Sequence, residues 1–323
     1  MPVPSDTPRK IYVVMSARSL PYAQCCLESL ARNAIEPIDV TLITDDPSDK
    51  KALTTVVEAF GKNPGQRWTV FDKADADDRA SLLYADFPAI RQFREGHPCW
   101  RKITDPPLFA QAGEEMIILD PDVYFPNRFC FEPTPAQGLL LMWQRPNCLL
   151  PEATVRTAFE ADIPMADHTD IGVAHARFPL DWAFLNRLIV ELGGDALPRS
   201  MHVESIIWAA LAKESGGAYL DPATWYCFAN SVPSRLRRRF GQSGNDTLAA
   251  LDIAHFKCIH GGGVAKNWFP EAERAGILSG KATLDAPTPA KPYVDFPRAK
   301  FERKFALRRL AARLGLYRIL GSE

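Results

Sequence analysis

Glu114-Glu115-Met116-Ile117-Ile118-Leu119-Asp120-Pro121-Asp122-Val123-Tyr124-Phe125 is the stretch from which the fold is read. Four apolar residues running into a proline-containing acidic pair predict a buried strand that ends in a turn. Asp120 and Asp122 then stand at the carboxyl end of a strand, where open α/β sheets bind ligands. On an extended chain residues two apart point the same way, so both carboxylates can reach one hard cation. Taken alone, Asp-Pro-Asp also reads as an ordinary solvated turn.

A second stretch, far along the chain, complements the first: His255-Phe256-Lys257-Cys258-Ile259-His260-Gly261-Gly262-Gly263-Val264-Ala265-Lys266-Asn267-Trp268. It offers an imidazole that can ligate a metal, glycines that let backbone N–H groups approach an anion, and a lysine six positions after His260. A cation held by two carboxylates and an imidazole, with Lys266 and bare amides alongside, suits a diphosphate. A glycine-rich loop with a structural histidine is the competing reading.

Elsewhere the pattern alternates strand and helix. Ile11 to Met15 is apolar throughout, and helical spacing of Cys26, Leu27, Leu30 and Ala31 follows Pro21 and Tyr22. A strand over Asp39 to Thr44 and a helix over Lys50 to Phe60 complete a βαβα order, which predicts a parallel sheet with crossover helices. No Gly-x-Gly-x-x-Gly follows the first strand, which argues against a dinucleotide fold. Residues 72 to 100 are rich in charge and aromatics, and Asp75, Asp77 and Asp78 read as a solvated loop rather than a second metal site. Gly138 to Trp143 reads as a strand, residues 144 to 168 as a loop able to shape a cleft, and Pro179 to Leu192 and Val203 to Leu211 as helices. Asp167, His168 and Asp170 are candidates for orienting the hydroxyls of a ligand. Arg235, Arg237, Arg238 and Arg239 are a candidate phosphate-facing lid.

Composition bounds the class. The 323 residues are 46% hydrophobic and 24% charged, as expected of a globular protein, and a net charge of −1 gives no general pull toward nucleic acid. Seven cysteines without a Cys-x-x-Cys pair predict reduced thiols and a cytoplasmic location. The opening residues lack the apolar core of a signal peptide. Arg298 to Arg318 holds eight Arg and Lys against the single acid Glu302. Leu307, Leu310, Leu314 and Tyr317 share one helical face there, which predicts either a peripheral contact with an anionic membrane surface or a helix packed on the domain.

The acidic pair and the late His-Gly-Lys stretch together resemble glycosyltransferases of the GT-A fold, most closely glycosyltransferase family 8. That family carries an Asp-x-Asp after an apolar strand and a late His-x-x-Gly-x-x-Lys-Pro-Trp; here His260, Gly263, Lys266 and Trp268 fall in register, with Asn267 in place of the proline. The register favours His260 over His255 as a ligand. Thr169-Asp170-Ile171-Gly172-Val173-Ala174 is similar to the family's Asn-x-Gly-Val segment, with Asp170 in the Asn position. The opening strand, loop and helix match the family's start. Glu204-Ser205 stands where the family has Asp-Gln, which puts the donor-sugar contacts in doubt.

The resemblance implies a three-layer α/β/α fold: a Rossmann-like donor half (10–126) continuous with a mixed-sheet acceptor half (127–285), between a loose tail (1–9) and a basic C-terminal extension (286–323). It implies a metal site of Asp120, Asp122 and His260, with Mn²⁺ preferred over Mg²⁺ because imidazole joins the oxygens. Nucleotide contacts are expected from Ser16, Ala17, Tyr22, Asp45, Asp120, Gly263, Lys266 and either Arg101 or Lys102. Glu204, Asp170 and Lys266 are expected at the reacting sugar and phosphate. The implied reaction is retaining transfer of a hexose from a UDP-sugar to a saccharide acceptor; the basic C-terminus adds the expectation of a lipid-linked or cell-surface glycan, such as lipopolysaccharide, and of a cytoplasmic protein with an optional peripheral contact at the inner face of the cytoplasmic membrane. A sugar-phosphate nucleotidyltransferase, which needs a glycine-rich basic loop that Ser16-Ala17-Arg18-Ser19 lacks, and a non-catalytic glycan- or membrane-binding protein are the alternatives.

Overall fold

Ile11, Tyr12 and Val13 are buried on both faces of their strand, so that strand needs neighbours on either side and helices above and below. A computed structural model of the chain, describing residues 7–60, 63–229 and 232–313, shows where they come from. β1 (Arg9–Val14) runs parallel between β2 (Ile38–Ile43) and β4 (Glu115–Leu119), and β3 (Gln66–Phe71) pairs with β2 at the edge. Beyond β4 the sheet turns mixed. β8 (Thr169–Arg177) is antiparallel to both β4 and β7 (Leu139–Trp143), and β9 (Gly217–Tyr219) and β13 (Lys291–Pro292) complete the order β13-β9-β7-β8-β4-β1-β2-β3. Two small sheets flank it. One is β10 (Trp225–Cys227), β11 (Cys258–His260) and β5 (Val123–Tyr124); the other pairs β6 (Arg128–Phe129) with β12 (Thr283–Leu284).

Strand alternation divides the core into two faces. Ile11, Val13, Val40 and Leu42 meet the helices Leu20–Asn33 and Lys50–Phe60 through Leu27, Leu30, Leu53 and Val57. Tyr12, Ile43 and Ile118 face the other way, against Ile206, Ile207 and Trp208 of the helix Val203–Ser215 and Leu185 and Leu188 of Trp182–Glu191. The result is a helix-sheet-helix sandwich.

Several expectations are corrected. Residues 72–100 are largely helical, over Lys73–Leu83 and Pro88–Arg94. The first of these starts from a capping box in which Asp72 accepts the N–H of Asp75 and Asp75 accepts that of Asp72, so Asp75 caps a helix rather than lying in a loop. The presumed loop 144–168 contains the helix Glu152–Glu160. Arg9, read as tail, opens β1 and is buried among Glu36, Glu115 and the carbonyls of Phe131 and Glu132. Residues 1–6 of that tail lie outside the described residues.

The segment 286–313 is woven into the domain. Buried Glu132 accepts from Lys257 Nζ (2.8 Å), Trp225 Nε1 (2.9 Å) and both the N–H and hydroxyl of Thr288 (2.8 and 2.7 Å). The C-terminal helix, Arg298–Arg313, buries Phe301 and Phe305 against Phe159 and Phe296. Its expected apolar stripe points outward: Leu307 is 61% and Leu310 52% exposed. Two phenylalanines four residues apart bury more area than the leucines, so they decide which face docks. Leu314 and Tyr317 lie outside the described residues. No helix among the described residues is long and apolar enough to cross a membrane.

Candidate functional site

The acid pair sits where the main sheet hands the chain to a small one. β4 ends at Leu119, Asp120 donates its N–H to the carbonyl of Gly172 (2.9 Å), and β5 begins at Val123. β5 then pairs antiparallel with β11, with Val123 opposite His260, while Gly261 donates its N–H to the carbonyl of Asp122 (2.9 Å). Backbone pairing therefore joins two stretches that are distant in sequence. His260 Nε2 lies 3.3 Å from Asp122 Oδ1 and 3.5 Å from Asp120 Oδ2. His255 is remote from this group, exposed and paired with Asp252.

The imidazole is gripped from behind. Asp170 Oδ2 is 2.7 Å from His260 Nδ1, and Cys227 Sγ is 3.7 Å from the same nitrogen. With Nδ1–H donated to Asp170, the nitrogen left for a cation is Nε2, the one that faces the acid pair. Gly172 makes this packing possible: a Cβ there would stand 2.5 Å from His260 Cγ and Nδ1. A glycine inside a strand pattern is itself a signal of such close approach. Cys227 carried no comparable signal.

Lys102, not Arg101, faces the acids. Its Nζ lies 2.6 Å from Asp120 Oδ1 and 3.1 Å from Glu204 Oε1 on the helix Val203–Ser215, whereas Arg101 reaches Glu95 (3.4 Å). Glu204 is buried, and burial pushes its carboxyl up to about 8 against the pull of Lys102. Burial works against the charged form of His260, but the carboxylates of Asp170 and Asp122 outweigh it and hold the ring well above its ordinary value. Burial likewise works against ionisation of Asp122, and His260 overcomes it to lower that carboxyl.

On the open side Lys266 Nζ stands 3.9 Å from Asp122 Oδ2 and 4.8 Å from the centre of the Tyr22 ring, so Tyr22 meets the glycine-rich loop. Gly263 in that loop has φ +68°, a left-handed conformation suited to glycine. Ser16 precedes a short turn at Ala17–Ser19. Asp49 Oδ2, rather than Asp45, holds that turn, accepting from Ala17 N at 2.8 Å. Asp45 follows β2, half-buried.

Asp120, Asp122, Asp170 and Glu204 thus face two lysines and one imidazole. Oxygen and imidazole donors of Asp120, Asp122 and His260 lie within 4.8 Å of one another, a set that fits a divalent cation.

The architecture has solved counterparts. Mouse xyloside xylosyltransferase 1, in its apo form, superposes with a TM-score of 0.52 at 12% identity, over 79% of this chain and 98% of that one. The fold is that of GT-A glycosyltransferases. The galactosyltransferase LgtC, solved with donor and acceptor sugar analogs, gives a TM-score of 0.49 at 14% identity, over 84% of this chain and 95% of its own. No family model and no curated protein matches the sequence.

Proposed function

We propose that this protein is a metal-dependent glycosyltransferase that moves a hexose from a uridine diphosphate sugar to a saccharide acceptor with retention of configuration. The observation that carries the reading is the approach of His260 Nε2 to Asp122 (3.3 Å) and Asp120 (3.5 Å), at the carboxyl end of a central strand. A divalent ion bound there, Mn²⁺ ahead of Mg²⁺, supplies Lewis-acid stabilisation of the departing diphosphate. Asp170 keeps His260 in the ligating tautomer. Lys266 and the amides around Gly263 meet the phosphate charge, and Tyr22, Ser16, Ala17 and Asp45 border the nucleotide. Lys102 orders Asp120 and Glu204 at the sugar. Family 8 is the resemblance that supplies the donor and stereochemistry.

The exposed Leu307 and Leu310, flanked by Arg303, Arg308 and Arg313, support a second element of the proposal: a peripheral contact with anionic lipid on the cytoplasmic side. The test of the enzymatic reading is nucleotide release from a panel of nucleotide sugars with Mn²⁺. Wild type should release uridine diphosphate, and Asp122→Asn should be slower by at least about a hundredfold, a loss of ~2.7 kcal/mol in transition-state stabilisation. Equal rates remove Asp122 and the metal site from the mechanism.

A further inference from the structure

The C-terminal helix does more than pack. Its first two turns bring Lys300 to Asp167 and His168, which precede β8, and Lys304 to the segment 143–148 at the end of β7, beside the candidate site. Lys304 Nζ donates to the carbonyl of Asn147 (3.0 Å). The next residue, Cys148, contacts Thr169 O (3.5 Å) and Ser205 Oγ (3.8 Å), the immediate neighbours of Asp170 and Glu204. Lys300 pairs with buried Asp167 and lies 3.2 Å from His168 Nε2. His168 Nδ1 is 2.7 Å from the carbonyl of Gln144 and so carries the proton, leaving Nε2 to accept from Lys300. His168 is held at φ +58°, and its ring lies 4.9 Å from the half-buried ring of Trp143.

Charge here is unbalanced. Among the described residues, Asp167 is the one carboxylate paired with Lys300 or His168, and Lys304, Arg308 and Arg145 form no ion pair with a carboxylate. The helix has no acid in its first turn, so its positive end adds to the same field. Burial lowers the Lys304 ammonium, and Arg308 and Lys300 add to it against Cys148 and Asp167. Burial likewise lowers His168, with Lys300 and Arg145 adding to it against Asp167. A non-glycine residue in left-handed conformation beside gathered like charges has a cost in stability, and such costs collect where a ligand offsets them.

We propose that this cluster receives a phosphate group carried on the acceptor saccharide, with the Trp143 ring as the platform for its sugar. The inference rests on the glycosyltransferase reading for the word acceptor, but its anion specificity is testable without donor.

The test is a phosphorus and proton NMR titration of the full chain with galactose phosphorylated on its primary hydroxyl, and with plain galactose, in the absence of nucleotide. The phosphorylated sugar should bind at least about tenfold tighter. Lys300→Gln/Lys304→Gln should remove that preference, and Lys300→Arg/Lys304→Arg should keep it. Binding of phosphatidylglycerol vesicles, measured in parallel, should be unchanged by the Gln pair, because the lipid-facing leucines lie further along the helix. Equal affinities for the two sugars overturn the inference, as does a Gln pair that lowers only vesicle binding while melting like wild type. A separate titration with uridine diphosphate and Mn²⁺ reports on the donor site, so failure there and failure here are distinguishable.

Discussion

Gly172→Ala isolates the contact on which the proposed metal site depends. Gly172 lies within β8, and its missing Cβ is the space into which the His260 ring fits: the added carbon would stand 2.5 Å from Cγ and Nδ1 and 3.0 Å from Cβ. Its φ is not left-handed, so alanine adds a steric effect without backbone strain. The His260 backbone is pinned between β10 and β5, with its carbonyl accepting from Phe228 N at 2.9 Å. The ring must therefore swing, and it has to retreat by roughly 1 Å to restore ordinary carbon contact.

That movement breaks the 2.7 Å bond to Asp170 and carries Nε2 out of line with the acids. Loss of an outer partner to a ligating histidine weakens metal binding by about 10–100-fold, or ~1.4–2.7 kcal/mol. Overpacking adds a separate stability cost of ~1–3 kcal/mol. The assay is the electron spin resonance signal of free Mn²⁺ titrated with protein, alongside thermal melting. A Gly172→Ala protein that is folded and binds Mn²⁺ as tightly as wild type refutes the reasoning.

Asp170→Asn keeps an oxygen for the Nδ1 proton and should weaken Mn²⁺ by less than about tenfold, whereas Asp170→Leu should lose ~10–100-fold; calorimetry compares them. Lys257→Met leaves buried Glu132 without its cation and should cost ~3–5 kcal/mol in urea denaturation. His175 is buried, with Nδ1 3.1 Å from Thr134 Oγ1 and Nε2 unpartnered, and burial, then the charges of Arg9 and Lys257, hold it well below its ordinary value. The unfolded chain therefore takes up a proton below about pH 6.5 that the folded chain refuses, so this stability is complete above that pH and is lost as pH falls. Between pH 7 and 5 wild type should lose ~2 kcal/mol more than His175→Phe in denaturation experiments.

The parts legible in sequence are those where one physical signal dominates. β1, β2, β4 and the helix Lys50–Phe60 are apolar runs or clean amphipathic repeats, and their bounds fell within two residues of the expected ones. The region from Gln66 to Arg94 was opaque for identifiable reasons. β3 is a half-buried edge strand, and the helix Lys73–Leu83 buries only Ala76 and Ala80, so no apolar stripe marks it. Its cap, Asp72 with Asp75, was the available sign. In the site, the acid pair was visible through its spacing and His260 through its register in the family 8 resemblance. The choice of Lys102 over Arg101, the clasp of Asp170 behind the imidazole and the approach of Cys227 arise from how β8, β10 and β11 meet, which no local pattern encodes.

That meeting also explains why the two ends of the site differ in character. His260 and the acid pair are placed by ladder register, Val123 opposite His260 and Cys227 beside it. Side chains alternate along a strand, so a slip of one residue would turn the imidazole away from Asp122 altogether. The proposed metal ligands are thus tied to backbone hydrogen bonds between strands. The neighbouring surface is assembled otherwise, from the segment 144–148, the left-handed His168 and lysines on a helix added after the last strand. None of those groups belongs to a central ladder, so substitutions there can change what is bound without disturbing the strands that hold the carboxylates. A variant such as Lys300→Gln/Lys304→Gln should accordingly leave Mn²⁺ affinity unaltered, and a Mn²⁺ titration in which it falls would show that the two ends are not independent.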